Sequence, residues 1–383
     1  MIGTTLQALL LLAGLAAGET AHDQQGRQNK QVYAVTPGGT LEVNVASGSM
    51  RVTAWEKNEL MIQAPGLSEE DQAMLRVSQS GNTVHVEYHG GDSRDGDFVL
   101  RITVPGRFNA LLHTGGGDIE MRGPLSGKLT GETAGGDIRL SGLKGVVSMT
   151  TSGGDIEAGD IEGSAELSSS GGEIRAGSIT GKADLSTGGG DVEIRNAGKD
   201  LVISTSGGNI RVGGIGGSTT ARTAGGDIDI QQASGPIILN TAGGSISVGS
   251  APGGIDAKTA GGDMTLKNVG DHIDAGTASG NIDVEFLPGA LKESTVGTAD
   301  GNIRLRIPAG LKATARVQIQ GDTDEEGAEE LPFASSFKPE SQGWERHMQE
   351  YRATVPLSGG GEDLKVKVID GRVDIVPAKG RGK

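Results

Sequence analysis

The chain has 383 residues, no cysteine, 67 glycines, 3% aromatic residues and a formal net charge of −15. Without thiols there is no disulfide, no lipid-linked cysteine and no thiolate chemistry. The acidic balance argues against nucleic acid, whose phosphates it would repel, and the glycines lack the every-third spacing of collagen.

The segment 1–21 has the form of a secretory signal peptide. Leu6 to Ala17 is an apolar run shorter than the ~20 residues of a spanning helix, and cleavage is expected after Gly18 or Ala21. The n-region lacks Lys and Arg, so a buried N-terminal helix or an uncleaved anchor is the alternative. No other long apolar run occurs, which predicts no transmembrane segment in the mature chain. Residues 22–31 are polar and read as a flexible lead.

Residues 32–117 carry short alternating runs at Thr40–Val45, Met50–Ala54, Leu60–Gln63, Thr83–Tyr88 and Phe98–Val104. Ser68-Glu69-Glu70-Asp71 predicts one helical turn before a strand at Met74–Ser78. With most of the early aromatics (Tyr33, Trp55, Tyr88, Phe98, Phe108), this segment is expected to be an N-terminal β cap over the open end of a repeat array.

The array follows. Gly-Gly-Asp-Ile or a close variant recurs, and the residue after each glycine pair marks the beat: Asp118, Asp137, Asp155, Glu173, Asp191, Asn209, Asp227, Ser245 and Asp263, with Asn281 at the same position after Ser279-Gly280. From Asp137 onward the intervals are all equal, and the first, from Asp118, is longer by a single position. A fixed period in this range signals repeats that bury their apolar faces only by stacking. The residue after each mark is aliphatic, and so is the one two further on, as in Ile228 and Ile230. A second alternating run closes each repeat, as in Ile237 and Leu239. Period-two alternation with glycine corners is a strand signal. The fold class is therefore all-β: a single-stranded β-solenoid (β-helix) over 118–302, with about ten 18-residue coils stacked ~4.8 Å apart and irregular β caps at both ends.

Three columns are expected to do more than pack. The glycine pairs suit corners with positive φ or close backbone approach. The mark side chains can accept hydrogen bonds from nearby backbone. Two residues after each mark, Arg139, Glu157, Arg175, Glu193, Arg211 and Asp229 alternate in sign and should form an outward charge ladder.

Residues 303–377 lose the beat and are expected to form a C-terminal β cap. Strands are predicted at Ile303–Ile307, Ala313–Gln320, Leu364–Ile369 and Val373–Val376, with an acidic loop at 322–330. Phe333, Phe337 and Trp344 are expected to fold over the last coil, and residues 378–383 are a basic tail.

Several motifs now combine. They are Gly38-Gly39-Thr40-Leu41, Gly48-Ser49-Met50-Arg51-Val52 with Trp55, Val104-Pro105, the Gly-Gly-Asp-Ile repeats, and Gly359-Gly360-Gly361 before Asp370-Gly371-Arg372-Val373-Asp374-Ile375. Over about 32–377 the chain resembles the bacterial putative-adhesin family of β-strand-repeat envelope proteins. The resemblance implies a β-solenoid fold and an envelope or surface role, and it brings no catalytic residues.

Constellations that suggest chemistry have plainer readings. His85 and His89 would share a zinc on a helix, but Val84, Val86 and Tyr88 alternate as a strand, which spaces four residues by ~13 Å. The Gly-Gly-Asp marks suggest calcium, yet they lack the nonapeptide pattern and become Asn209, Ser245 and Asn281. Gly213 to Gly217 lacks the Lys-Ser/Thr of a phosphate loop. The hydroxyl column Thr151, Ser169, Thr187, Thr205, Thr223, Thr241, Thr259 and Thr277 suggests ice binding, but its parity with Leu167, Leu185 and Leu239 turns it inward. Coils this short leave no loops for the cleft of a polysaccharide-cleaving enzyme.

The expectation is a non-catalytic, exported structural or adhesin-like interaction module of the bacterial envelope, at the periplasm, cell surface or outside. It has no catalytic, metal or cofactor residues, and its partner is an envelope protein or cell-wall polymer. The alternatives are a calcium- or glycan-binding module and an envelope-stress regulatory component.

Overall fold

The computed structural model describes residues 30–90, 98–320, 332–345 and 349–378. The signal segment, most of the lead, the acidic loop 322–330 and the tail from Lys379 lie outside the described residues. Among those described, the chain is nearly all β, with one short helix at Glu69–Gln72. Ser68 caps that helix, its hydroxyl accepting from the Asp71 N–H. No described helix is long and apolar enough to cross a membrane.

Parallel strands stack with equivalent positions of successive repeats side by side. After each glycine corner Ile156 stands beside Ile174, Ile174 beside Val192, Val192 beside Ile210 and Ile210 beside Ile228. On the returning strand Leu167 stands beside Leu185, Leu185 beside Ile203, and Ala221 beside Leu239. Alternate side chains of both strands point into one continuous apolar interior. Ile174, Leu185, Val192, Ile203, Ile210 and Leu239 are all fully buried there. Period two favours this: a slip of one residue would turn the aliphatics outward.

The one longer interval is absorbed locally. Ser141 pairs with Arg122, whereas Leu143 pairs with Leu125, so the offset between the two strands drops by one within that step. The extra residue is thus held between Arg122 and Leu125, and the pairing then keeps one offset until Val269, which pairs with Phe286.

The parallel stack runs past both ends of the repeat. Strand Ser49–Trp55 lies beside Ile119–Thr133, with Met50 next to Ile119, and Thr40–Val45 lies beside Asn109–Thr114. The opposite edges of these two strands meet Val99–Pro105 and Thr83–Tyr88, also in parallel. Residues 40–55 therefore sit between two segments that follow them in sequence. Antiparallel strands cover that end: Glu59–Gln63 on Val99–Pro105, Lys30–Ala34 on Glu59–Gln63, and Leu75–Ser80 on Thr83–Tyr88.

At the other end Ser294–Asp300 and Ile303–Ile307 continue the stack, and the late strands Asp363–Asp370 and Val373–Pro377 return to lie on them in parallel. Leu311–Gln320 pairs with Asp363–Asp370 and carries Glu350–Leu357 antiparallel, with Ser341–Glu345 outside that. Here Phe333 and Trp344 both pack on Tyr351, with centroids 5.9 and 5.5 Å away.

Candidate interaction surface

Each corner is built from three side-chain columns. The hydroxyl column lies inside: Thr151, Thr223 and Thr277 are buried. Thr151 Oγ1 donates to the Gly136 carbonyl one coil back (2.9 Å) and accepts from the Gly154 N–H of its own corner (3.2 Å). Ser169, Thr187, Thr205, Thr223, Thr241 and Thr259 donate to the equivalent glycine carbonyls at 2.7–2.9 Å. A hydroxyl so used is not available to a surface ligand.

The second glycine of each pair is required by close approach. A Cβ on Gly154, Gly190 or Gly226 would lie 2.0–2.2 Å from the carbonyl oxygen of the glycine one coil back. The first glycine is spacious: at Gly153, Gly207 or Gly225 the nearest atom would be 3.3 Å away or more. Neither adopts a left-handed φ, so close approach alone explains the requirement.

The mark residue ties one coil to the next. Asp118 Oδ1 accepts from the Asp137 N–H at 2.9 Å, Asp137 from Asp155 at 3.0 Å and Asp155 from Glu173 at 2.8 Å. Asp191, Asn209, Asp227 and Asp263 repeat the bond at 2.7–2.9 Å. Asp and Asn share this geometry because only one side-chain oxygen is needed. Among the described residues Glu173 and Ser245 make no such bond, one side chain being too long and the other too short.

Outward of the corner lies the charge ladder, and it is longer than the repeat itself indicated. Arg51 stands beside Glu120, Glu120 beside Arg139, Arg139 beside Glu157 and Glu157 beside Arg175. Glu193, Arg211 and Asp229 complete eight alternating rungs. Arg101 beside Arg51 ends the run at one side, and Ser247 beside Asp229 ends it at the other.

The ion pairs do not run along the ladder as the alternation suggests. Among the described residues only Arg51 and Glu120 bond rung to rung, at 2.5 Å. Arg139 turns instead to Asp118 (3.2 Å) and Asp137 (2.7 Å), Arg211 to Asp191 (3.2 Å), and Arg175 to Glu173. Asp191 is held below the usual carboxylate range by the Asn209 backbone and side-chain bonds and by Arg211. Glu120 is lowered too, its bonds and charge contacts with Arg51 and Arg122 outweighing burial, the largest single influence. Glu157 and Glu193, flanked by arginines on both sides, make no ion pair among the described residues.

Between this row and the outward row two residues further on runs a groove of about 680 Å³, from Glu120 to Gln231. Its floor is apolar (Met121, Leu140, Ala158, Ala176, Ile194, Val212), Gly159, Gly177 and Gly213 stand in its further row, and every cation lining it is arginine. Shallow and repeated, with charged side chains along an apolar floor, it can lie against an extended surface but cannot enclose a small substrate. A second patch holds serines 168, 170, 186, 204 and 206 about a space of 410 Å³.

Of the other singled-out residues, the two histidines stay apart from this face, whereas Gly213 lines the groove. His85 Nδ1 lies 2.9 Å from Glu42 and His89 Nε2 3.7 Å from Glu87, each with a carboxylate of its own. Gly213 and Gly214 lie in the strand Ile210–Ile215. The sequence signal for the groove is the arginine-only charge alternation next to Gly159, Gly177 and Gly213. Alternation alone indicates a ladder, and only the stacked glycines beside it reveal the furrow.

The family model described as Toastrack DUF4097 matches residues 19–251. The chain belongs to this family. The resemblance drawn from the Gly-Gly-Asp-Ile repeats thus holds, and a Toastrack repeat fold that is solenoid-like and nearly all β accounts for the stacking described above. The family match covers the early strands as well as the repeats up to Ala251.

Among solved structures, a putative adhesin of Bacteroides fragilis is 16% identical, with 72% of this chain and 95% of that one covered and a TM-score of 0.19. A putative adhesin of Parabacteroides distasonis is 9% identical over the same shares, with a TM-score of 0.28. A putative cell adhesion protein of Clostridium sporogenes is 10% identical over 91% and 98%, with a TM-score of 0.17. At these TM-scores the likenesses carry no argument about this chain. No curated protein matches.

Proposed function

We propose that this Toastrack protein is an exported, non-catalytic interaction module of the bacterial envelope, a rod of 18-residue coils closed by β caps at 32–117 and 303–377. The supporting observation is the long groove from Glu120 to Gln231, which presents charged side chains at every coil along an apolar floor. Such a surface recognises an extended partner by repetition rather than by enclosure. In this reading the partner is an envelope protein or cell-wall polymer.

The mark carboxylates favour this over calcium binding, because Asp118, Asp137, Asp155 and Asp191 already accept from the next coil and several bond arginine as well. The short turn of chain in each coil likewise leaves no long loops to form a catalytic cleft. A photo-crosslinking residue at position 141, an exposed serine lining the groove, tests the proposal in living cells. Adducts with an envelope protein or wall polymer are expected. Recovery of the protein and its adducts only from the cytoplasm overturns it.

A further inference from the structure

The eight-rung row has a symmetry of its own. An alternating row with an even number of rungs meets its own antiparallel copy with opposite charges throughout. Place a two-fold axis along the strand direction, through the gap between Glu157 and Arg175. Arg51 then falls opposite Asp229, Glu120 opposite Arg211, Arg139 opposite Glu193 and Glu157 opposite Arg175, each pair occurring twice.

The row two residues further on obeys the same axis. Arg122 falls opposite Gly213, Arg195 opposite Ser141, and Gly159 opposite Gly177, so no cation faces another and the glycines leave room for facing side chains. A parallel copy in registry would set every charge against its like.

Pairing inside one chain leaves part of this row unused. Glu157 and Glu193 make no ion pair among the described residues, while Arg175 and Arg211 each engage one acidic residue. A guanidinium has five N–H donors, so both arginines keep donors for a facing carboxylate, and their bonds to Glu173 and Asp191 hold them in place.

We propose that this face docks a second copy of the same chain, antiparallel, about the axis between Glu157 and Arg175. The strip is ~34 Å long at ~4.8 Å per coil and narrow, smaller than the interface of a permanent dimer. The net charge of −15 per copy opposes association as well. The dimer is therefore weak, reversible and weakened by salt.

Sedimentation of the full chain over a concentration series, at low and physiological ionic strength, tests this. Wild-type protein is expected to self-associate. Glu157→Arg alone and Arg175→Glu alone each set like charges together at the axis, and each is expected to associate about tenfold more weakly or worse. Mixed in equal amounts the two variants should associate as wild type does, because the introduced arginine of one copy meets the introduced glutamate of the other.

Arg139→Glu with Glu193→Arg provides the same test one rung out, should a variant at the axis fail to fold by circular dichroism. Wild-type protein that stays monomeric, single variants that associate normally, or a mixture that gains nothing overturns the proposal. The assay needs only purified protein, so its failure leaves the envelope reading standing, and crosslinking in the cytoplasm alone leaves the dimer standing.

Discussion

At the scale of single residues, the glycine pair divides into two different requirements. Gly226 lies so close to the coil before it that an added Cβ would meet the Gly208 oxygen at 2.0 Å, whereas at Gly225 the nearest atom would be 3.6 Å away. Gly226→Ala is expected to cost ~1–3 kcal/mol or more, as overpacking does. Gly225→Ala should stay within about 0.5 kcal/mol of wild type, and denaturant unfolding compares them. Sequence could predict that the pair forms a corner. It could not separate the two glycines, because the clash is with a carbonyl of the preceding coil.

Charge on single residues adds a pH dependence. Asp184 stands beside Glu166 in the adjacent coil, and burial, followed by the Glu166 charge, raises its pKa. A carboxyl raised in the fold destabilises the fold once ionised, and the penalty disappears when it is protonated in both states. Asp184→Asn is thus expected to raise the Tm at pH 7 and to leave it unchanged below the ordinary Asp pKa of ~3.9. Asp191 has the opposite sign: its lowered pKa contributes stability above the ordinary carboxylate range, lost as pH falls through the folded-state value. An equal gain from Asp184→Asn at both pH values would show that charge is not the cause.

At the scale of elements, strand positions were readable and strand partners were not. The runs at Thr40–Val45, Thr83–Tyr88 and Ile303–Ile307 match strands with those same ends, because alternation is local. Lys30–Ala34 and Ser341–Glu345 escaped notice, having mostly exposed side chains and no apolar alternation to mark them. The ladder shows the same division. Its alternation was visible in the repeats, but Arg51 joins Glu120 from a strand that precedes the array altogether, a neighbour that no periodicity reveals.

Registry nevertheless makes a firm prediction for the ladder. Glu193 stands between Arg175 and Arg211, so Glu193→Arg sets three cations in line. Ser247 stands between Asp229 and Thr265, and Ser247→Arg gains a carboxylate neighbour instead. Like charges directly across strands cost ~0.2–1 kcal/mol each. Thermal melting at low salt should show a lower Tm for Glu193→Arg and an unchanged or higher one for Ser247→Arg. Added salt should narrow the gap.

At the scale of the whole molecule, the repeat is a stack whose ends must be covered. A parallel stack ends in unpaired backbone N–H and C=O groups, which invite other chains. At the C-terminal side, Asp363–Asp370 and Val373–Pro377 return from much later in the chain to lie on Ser294–Asp300 and Ile303–Ile307. Their inward side chains Leu364, Val366, Val373 and Ile375 are fully buried, so they complete the core as well as the hydrogen bonding. A chain ending after Ile307 would expose both strand edges and the apolar surface of Val296, Ile303 and Leu305. It is expected to keep the β circular dichroism of the remaining coils, since each coil contacts mainly its neighbours, and to aggregate at concentrations where the full chain stays dispersed. Light scattering during a concentration series distinguishes the outcomes. A truncated chain that stays as dispersed as the full one would mean that the returning strands do not protect the end of the stack.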